Sequence, residues 1–353
     1  MNNSKLTYND VDSYIVTSEH NRYYFTGFHS SFGILLMVDG KGFYITDNRY
    51  AEVCKNHFEG TDIEAVIVSK TSEAFDKLKE IVITLGLKRT GFEDNMSVRE
   101  FEELKTAINV EFVAKGVEIE LLRSIKTSEE LDKIRLSMAI SSNAFTKMLA
   151  NAKVGMTEKE LCAELNYQIY KMGADSLAFE TIVASGVNGS KPHAVPSDKK
   201  IEKGDLVTLD FGARRDGYCA DITRTIAFGK LTERQEMIYN TVLQSQKLGL
   251  QNIKAGSVCG EVDGVVREFF KSKGLDQYFV HSLGHGVGVE IHETPRLAPK
   301  VDIVLQEGMV VTCEPGLYLP REMGVRIEDT VIVTKNGCEN LATCDKELII
   351  IKA

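Results

Sequence analysis

Over residues 1–122, apolar runs of strand length alternate with stretches of helical period. DSYIVTS, FGILLMVDGKGFYITD, IEAVIVS and KRTGFED read as strands, the second of them as a hairpin turning at Asp39-Gly40-Lys41-Gly42. RYAEVCKNHF and residues 72–85 read as helices. Strands and helices in this alternation predict an α/β domain of ordinary size. The pattern then changes. In LLRSIKTSEELDKIRLSMAISSNAFTKMLANAKVG, Thr127 and Glu130 have capping-box spacing, and Leu131, Ile134, Leu136, Met138, Ile140, Phe145 and Leu149 form a helical stripe. A boundary before this helix gives two domains, 1–122 and 123–353.

The second domain repeats itself. NAKVGMTEKEL at 151–161 aligns with NIKAGSVCGEV at 252–262, and IEKGDLVTLDFG at 201–212 aligns with LQEGMVVTCEPG at 305–316. Two matches in the same order at nearly one offset predict a duplicated unit of helix, helix and antiparallel strands, an α+β arrangement. The second match superposes Asp210 on Glu314. Asp210 is followed across a predicted hairpin by Asp221 in LDFGARRDGYCADITRTIAF, and Glu314 by Glu328 in GVRIEDTVIVT. Four carboxylates are therefore expected near one axis.

Four buried carboxylates cannot all stay ionised without a counter-charge, because burial and like charges both raise their pKa values. Arg326, two residues before Glu328 and on the same strand face, offers one positive charge. Two divalent cations would balance all four acids, in an arrangement that hydrolytic sites use. A histidine ligand can come from HSLGHGVGVEIHETP, which carries His281, His285 and His292 in one glycine-rich loop. A single histidine or aspartate is usually a satisfied core group, a turn or a cap; the constellation is what points to metal. One imidazole with four carboxylates is oxygen-rich and suits Mn2+ or Fe2+, with Co2+ and Zn2+ as substitutes. His193 and His292 each begin a His-x-x-Pro string, one per half, and could stabilise a tetrahedral oxyanion.

Composition narrows the setting. A chain of 353 residues with 43% hydrophobic content can bury two cores. It has no apolar run of spanning length and no hydrophobic leader at its start, so a cytoplasmic protein without membrane contact is expected. Seven scattered cysteines, none in a CxxC pair, fit reduced thiols better than a disulfide framework or a thiolate zinc site. A net charge of −9 without a basic run argues against nucleic acid as a partner.

Asp210, Asp221, His285, Glu314 and Glu328, in the settings LDFGARRDGYCADITRT, HSLGHGVGVEIHE, TCEPGLY and VRIEDT, resemble the ligand positions of the pita-bread metallopeptidases, in particular the Xaa-Pro aminopeptidase and Xaa-Pro dipeptidase (prolidase) group. NRYYFTGF followed by a hairpin and TDNRY is similar to the creatinase-type amino-terminal domain. The resemblance implies that Asp210 chelates one metal, that Asp221 and Glu328 bridge both, and that His285 and Glu314 hold the second. Mn2+ is the first expectation for both ions. It also implies that Glu314 relays a proton to the departing nitrogen and that His193, His281 and His292 line the substrate site. Arg326 is expected to bind the substrate backbone or orient Glu328. The expected activity is hydrolysis of small peptides after a first residue that precedes proline, by a homodimer. A creatinase-like amidinohydrolase or a metal-free peptide- or protein-binding module on the same fold would be expected to lack ligands that are present here. A methionine aminopeptidase would be expected to lack the amino-terminal domain.

Overall fold

In the computed structural model, which describes residues 6–352, the alternating pattern of the first unit, Met1–Arg123, folds into one six-stranded sheet. Strands β1 (Ser13–Val16), β2 (Ile34–Val38), β3 (Lys41–Asp47), β4 (Ile63–Val68), β5 (Arg89–Phe92) and β6 (Glu111–Ala114) lie in the order β4-β3-β2-β1-β5-β6. Helices α1 (Glu19–Thr26), α2 (Ala51–Phe58), α3 (Ala74–Leu85), α4 (Val98–Ala107) and α5 (Gly116–Ser124) connect and cover them. Ile15, Leu36, Phe43, Ile45, Leu78 and Leu104 share one core cluster, joining the sheet to α3 and α4. Helix α1 has no apolar period because Asn21, Arg22 and Thr26 are among its buried residues. Arg22 Nη1 donates to Ser30 Oγ at 2.6 Å and also to the Tyr44 hydroxyl, so hydrogen bonds take the place of apolar packing there.

The second unit, Ser124–Ala353, has the duplicated construction. Its first half contains α6 (Ser128–Leu149), α7 (Glu158–Lys171), β7 (Ser176–Leu177), β8 (Ile182–Ser185), β9 (Leu206–Phe211), β10 (Ala213–Arg215), β11 (Tyr218–Cys219) and β12 (Ile222–Phe228). Its second half contains α8 (Glu233–Asn252), α9 (Cys259–Ser272), β13 (Gly284–Gly286), β14 (Glu293–Leu297), β15 (Val310–Cys313), β16 (Gly316–Leu319), β17 (Met323–Arg326) and β18 (Asp329–Thr334), followed by β19 (Gly337–Asn340) and β20 (Ile350–Ile351). The two halves share hydrogen bonds as well as sequence. Gly155 N donates to Ile201 O at 2.9 Å, and Gly256 N to Leu305 O at 2.8 Å. Both glycines are left-handed, at φ +91° and +90°, which a side chain would oppose.

Helix α6 carries the expected capping box, with Glu130 N donating to Thr127 Oγ1 at 3.3 Å and Thr127 N to Glu130 Oε2 at 2.9 Å. Its stripe differs from the apolar one. Leu136 is 44% exposed, while Ser137 and Ser141 are fully buried. The cause is the strand edge beneath: Ser137 Oγ donates to Tyr218 O, and Ala213 N donates to Ser141 Oγ, each at 2.9 Å.

Sheets β20-β12-β9-β8 and β14-β13-β15-β18-β19 meet along their second hairpin arms. Thr225 Oγ1 donates to Arg326 O at 2.9 Å, Thr330 Oγ1 to Asp221 O at 2.7 Å, and Glu328 N to Thr223 O at 3.1 Å. Beside this seam a buried ion pair joins Arg224 Nη2 to Asp329 Oδ1 at 2.7 Å. Arg224 also donates to the carbonyls of Asp345 at 3.0 Å and Cys344 at 3.1 Å. Arg224→Met should therefore lower stability by roughly 3–5 kcal/mol, because it leaves Asp329 with one cation fewer in the interior. A thermal unfolding midpoint equal to that of the native chain would refute this.

None of the seven cysteines forms a disulfide. Among the described residues no helix is long and apolar enough to cross a membrane.

Candidate metal centre

The two hairpins do not present their acids symmetrically. In the first, β9 pairs with β12 so that Asp210 faces Thr223, and the same register continues to Ala213 and Ala220, which puts Asp221 opposite Gly212. In the second, Cys313 faces Asp329 and Gly316 faces Arg326, which puts Glu314 opposite Glu328. Arg326 thus occupies the place in the second hairpin that Asp221 has in the first, and Glu328 the place of Thr223. The first-arm acids are equivalent, whereas the second-arm acids are offset by two residues. They still reach one site because the second arms lie side by side at the seam.

Asp221, His285 and Glu328 offer ligand atoms that all lie within 4.8 Å of one another, and all three residues are buried. His285 Nε2 is 3.4 Å from Asp221 Oδ2 and 3.5 Å from Glu314 Oε1. Asp210 Oδ2 accepts from Arg326 Nη2 at 2.6 Å. Burial, then the charges of Glu328, Asp210 and Glu314, push the Asp221 carboxyl well above the usual carboxylate range. Burial and the neighbouring acids raise Glu328 as well, and Glu314, raised chiefly by burial, is pushed up to about 8. Burial lowers His285 to about 4, so its imidazole is neutral.

These residues fit divalent cations, as three features show. First, Asp210 Oδ1 and Glu328 Oε1 are buried oxygens with no hydrogen-bond partner among the described residues. Second, His285 Nδ1 has the Gly286 carbonyl at 3.0 Å and so carries the ring hydrogen, which turns the Nε2 lone pair toward two carboxylate oxygens. Lone pairs facing lone pairs are satisfied either by a proton held on a carboxyl or by a cation between them. Third, the one buried guanidinium of the cluster, Arg326, already serves Asp210.

The other expected site residues lie around this cluster. His292 is exposed, with its ring 4.4 Å from that of His285 and nearly edge-on to it. His193 is exposed on the segment between β8 and β9, near enough for its charge to bear on His281 and His292. Both ring nitrogens of His281 are engaged within the protein: Nδ1 with Ser282 O at 2.8 Å and Nε2 with the Tyr318 hydroxyl at 2.9 Å. Arg326 also donates to Tyr318 Oη at 2.6 Å, Pro192 O at 3.2 Å and Thr223 Oγ1 at 3.1 Å. Thr223 in turn donates to Glu328 Oε2 at 2.6 Å, so the guanidinium reaches Glu328 through a hydroxyl rather than directly.

Sequence reasoning passed over Thr223, Tyr318 and Arg296. Thr223 could have been found by the period of two that places it on the face of Asp221. Tyr318 shows no such signal, since a buried tyrosine in a strand is ordinary. Arg296, exposed opposite His285 on β14, bears electrostatically on Glu314, His285 and His292.

Residues 132–335 match the profile of Metallopeptidase family M24. The chain belongs to that family. Residues 3–125 match the Creatinase/Prolidase N-terminal domain, so the fold is a creatinase-type α/β domain followed by a pita-bread metallopeptidase domain. The chain is 40% identical over 350 residues to a Xaa-Pro dipeptidase of Pyrococcus furiosus, covering 97% of this chain and 96% of that protein. Among solved structures it is similar to a Xaa-Pro dipeptidase from Bacillus anthracis, with a TM-score of 0.92, 42% identity and 97% and 95% of the two chains covered. An X-Pro aminopeptidase from Thermotoga maritima also gives a TM-score of 0.92, at 35% identity, with 99% of this chain and 100% of that one covered. Membership in a metallopeptidase family implies divalent metal ions, which agrees with the fit of the cluster.

Proposed function

We propose that this protein is a dinuclear-metal exopeptidase that hydrolyses the bond between an amino-terminal residue and a following proline. The observation that carries the proposal is the convergence of Asp221, His285 and Glu328 beside Asp210 Oδ1 and Glu328 Oε1, buried oxygens that have no hydrogen-bond partner among the described residues. Full-length similarity to proteins named for Xaa-Pro bonds supports the substrate class. Asp210, Asp221, His285, Glu314 and Glu328 would hold two ions, Mn2+ in first place with Fe2+, Co2+ or Zn2+ as substitutes, on an oxygen-rich donor set. Such ions supply Lewis-acid polarisation of the scissile carbonyl and make water nucleophilic near neutral pH.

The chain's own groups do the rest. Glu314 takes a proton from the attacking water and passes it to the departing prolyl nitrogen, which as part of a tertiary amide has no hydrogen of its own. His193 and His292 donate to the oxyanion that forms at the carbonyl. Arg326 holds Asp210 and, through Thr223, the orientation of Glu328. Tyr318 spans Arg326 and His281, so His281 acts in this scheme by fixing Tyr318. The protein is expected to work as a cytoplasmic homodimer, and light scattering reads the oligomeric state.

Specificity follows from proline itself. A pocket shaped to the pyrrolidine ring gains apolar burial and forfeits no amide hydrogen bond. Ala-Pro should therefore be cleaved in preference to Ala-Ala by roughly 1–3 kcal/mol in kcat/KM if apolar fit alone discriminates. Acetyl-Ala-Pro should resist, because the acidic end of the site anchors a free amine. Equal cleavage of Ala-Pro and Ala-Ala by one metal-loaded sample would leave a hydrolase but remove the prolyl assignment. Adding Ala-Pro-Ala to the panel separates a dipeptidase from an aminopeptidase of longer peptides.

A further inference from the structure

Glu158, the first residue of α7, has no exposed surface, yet among the described residues no cation pairs with it. Its carboxylate is satisfied by one short stretch of chain. Oε1 accepts from Ser185 N at 2.7 Å, Ser185 Oγ at 2.8 Å and Asn188 Nδ2 at 3.1 Å. Oε2 accepts from Asn188 Nδ2 at 3.2 Å, Ser197 N at 3.0 Å and Ser197 Oγ at 2.6 Å. Burial alone would raise this carboxyl, and the bonds from Ser197, Ser185 and Asn188 hold it below its ordinary value. Ser185 and Ser197 bracket the segment that carries Pro192 and His193.

The duplication shows that the fold does not require an acid here. In the second half the corresponding first residue of α9 is Cys259, a buried thiol. The backbone setting is the same: Glu158 N donates to Lys199 O at 3.1 Å, and Cys259 N donates to Ile303 O at 2.9 Å. A neutral residue thus serves the same helix start. The buried charge is specific to the half that carries the 185–197 segment, and burying a charge is costly unless its partners are needed.

The far side of the segment touches the centre. Pro192 O accepts from Arg326 Nη1, and Gly189 packs against Gly324 of β17 so closely that a Cβ on Gly324 would lie 1.7 Å from Gly189 O. A shift of either end of the segment would move His193 and the Pro192 carbonyl together.

We propose that Glu158 is a positioning residue for hydrolysis: its carboxylate clamps both ends of segment 185–197 and so sets where His193 and the Pro192 carbonyl stand relative to Arg326. The proposal rests on the role given above to His193. Glu158→Gln, which keeps one acceptor oxygen and turns an amide donor toward the other donors, should lower kcat for Ala-Pro by up to roughly 10²-fold with little change in KM. The same substitution in a His193→Ala background should cost much less than in the native one, since the loss passes chiefly through His193. Amide hydrogen exchange over 185–197 should accelerate in metal-free and metal-loaded protein alike. If Glu158→Gln does not fold, Ser197→Ala, which deletes one donor and leaves no charge unanswered, should move kcat and exchange in the same direction by less. Equal losses of kcat in the native and His193→Ala backgrounds would mean a general structural carboxylate and overturn the proposal, as would unchanged exchange. Accelerated exchange in Glu158→Gln together with a wild-type protein that does not cleave Ala-Pro would instead count against the peptidase assignment.

Discussion

Asp221→Asn and Glu328→Gln are each expected to lower metal occupancy and to reduce turnover by well over about 100-fold, the loss that even an outer-shell partner of a metal ligand can produce. Each substitution removes a negative charge and turns an amide hydrogen toward the place where a cation must sit. The metal-free protein should respond in the opposite sense. Burial and the surrounding acids hold the Asp221 carboxyl well above its ordinary value, so folding makes its charged form less favourable. That penalty is absent below the unfolded pKa, near pH 4, and grows as pH rises. Asp221→Asn removes it, so the metal-free variant should melt above metal-free wild type at pH 7–8 and level with it near pH 4. Added metal should stabilise wild type by mass action and the variant much less. Full activity in either variant, or after exhaustive chelation, would end the metal hypothesis.

The parts of this site that were legible in the sequence were those where chemistry contradicts its surroundings. Asp210, Asp221, Glu314 and Glu328 stand out because a carboxylate amid strand residues needs a cause, and the repeat was visible because glycines and strand runs recur at nearly one offset. Neutral hydroxyls carry no such contradiction. Thr223 and Tyr318 look like ordinary strand residues, yet they are the groups through which Arg326 reaches Glu328 and His281. Glu158 looks like a favourable acid at a helix start, and only the structure shows that it is buried. The repeat left the relation of the second-arm acids open, and only the pairing registers show Arg326 in the place of Asp221. In the amino-terminal unit, α1 and α4 were passed over for different reasons. The buried face of α1 is partly polar, so periodicity does not detect it. Helix α4 does carry an apolar stripe, Phe101, Leu104 and Ala107 leading to Ile108, and periodicity could have found it.

His193→Ala and His292→Ala should each keep their metal and lower kcat by roughly 10²- to 10³-fold, about 2.7–4 kcal/mol, the loss that follows removal of one oxyanion donor. Neither ring is among the groups that converge at the centre, and both are exposed, where a bound substrate can reach them. His292 lies against His285, and partial burial of its ring holds its pKa below the ordinary value despite the opposing pull of Asp210. A neutral imidazole can donate one N–H to an oxygen that gains charge as the carbonyl is attacked, without bringing a second positive charge beside bound cations. If both rings serve that one oxygen, the double variant should lose much less than the sum of the single losses, because groups acting as a unit are not additive. Metal analysis of each variant guards against an indirect effect through His285, whose position could shift when the His292 ring is removed. A loss carried by KM with kcat intact would assign the rings to uniform substrate binding instead. Unchanged kcat in both variants, with metal retained, would make them bystanders and leave oxyanion stabilisation to the metal ions.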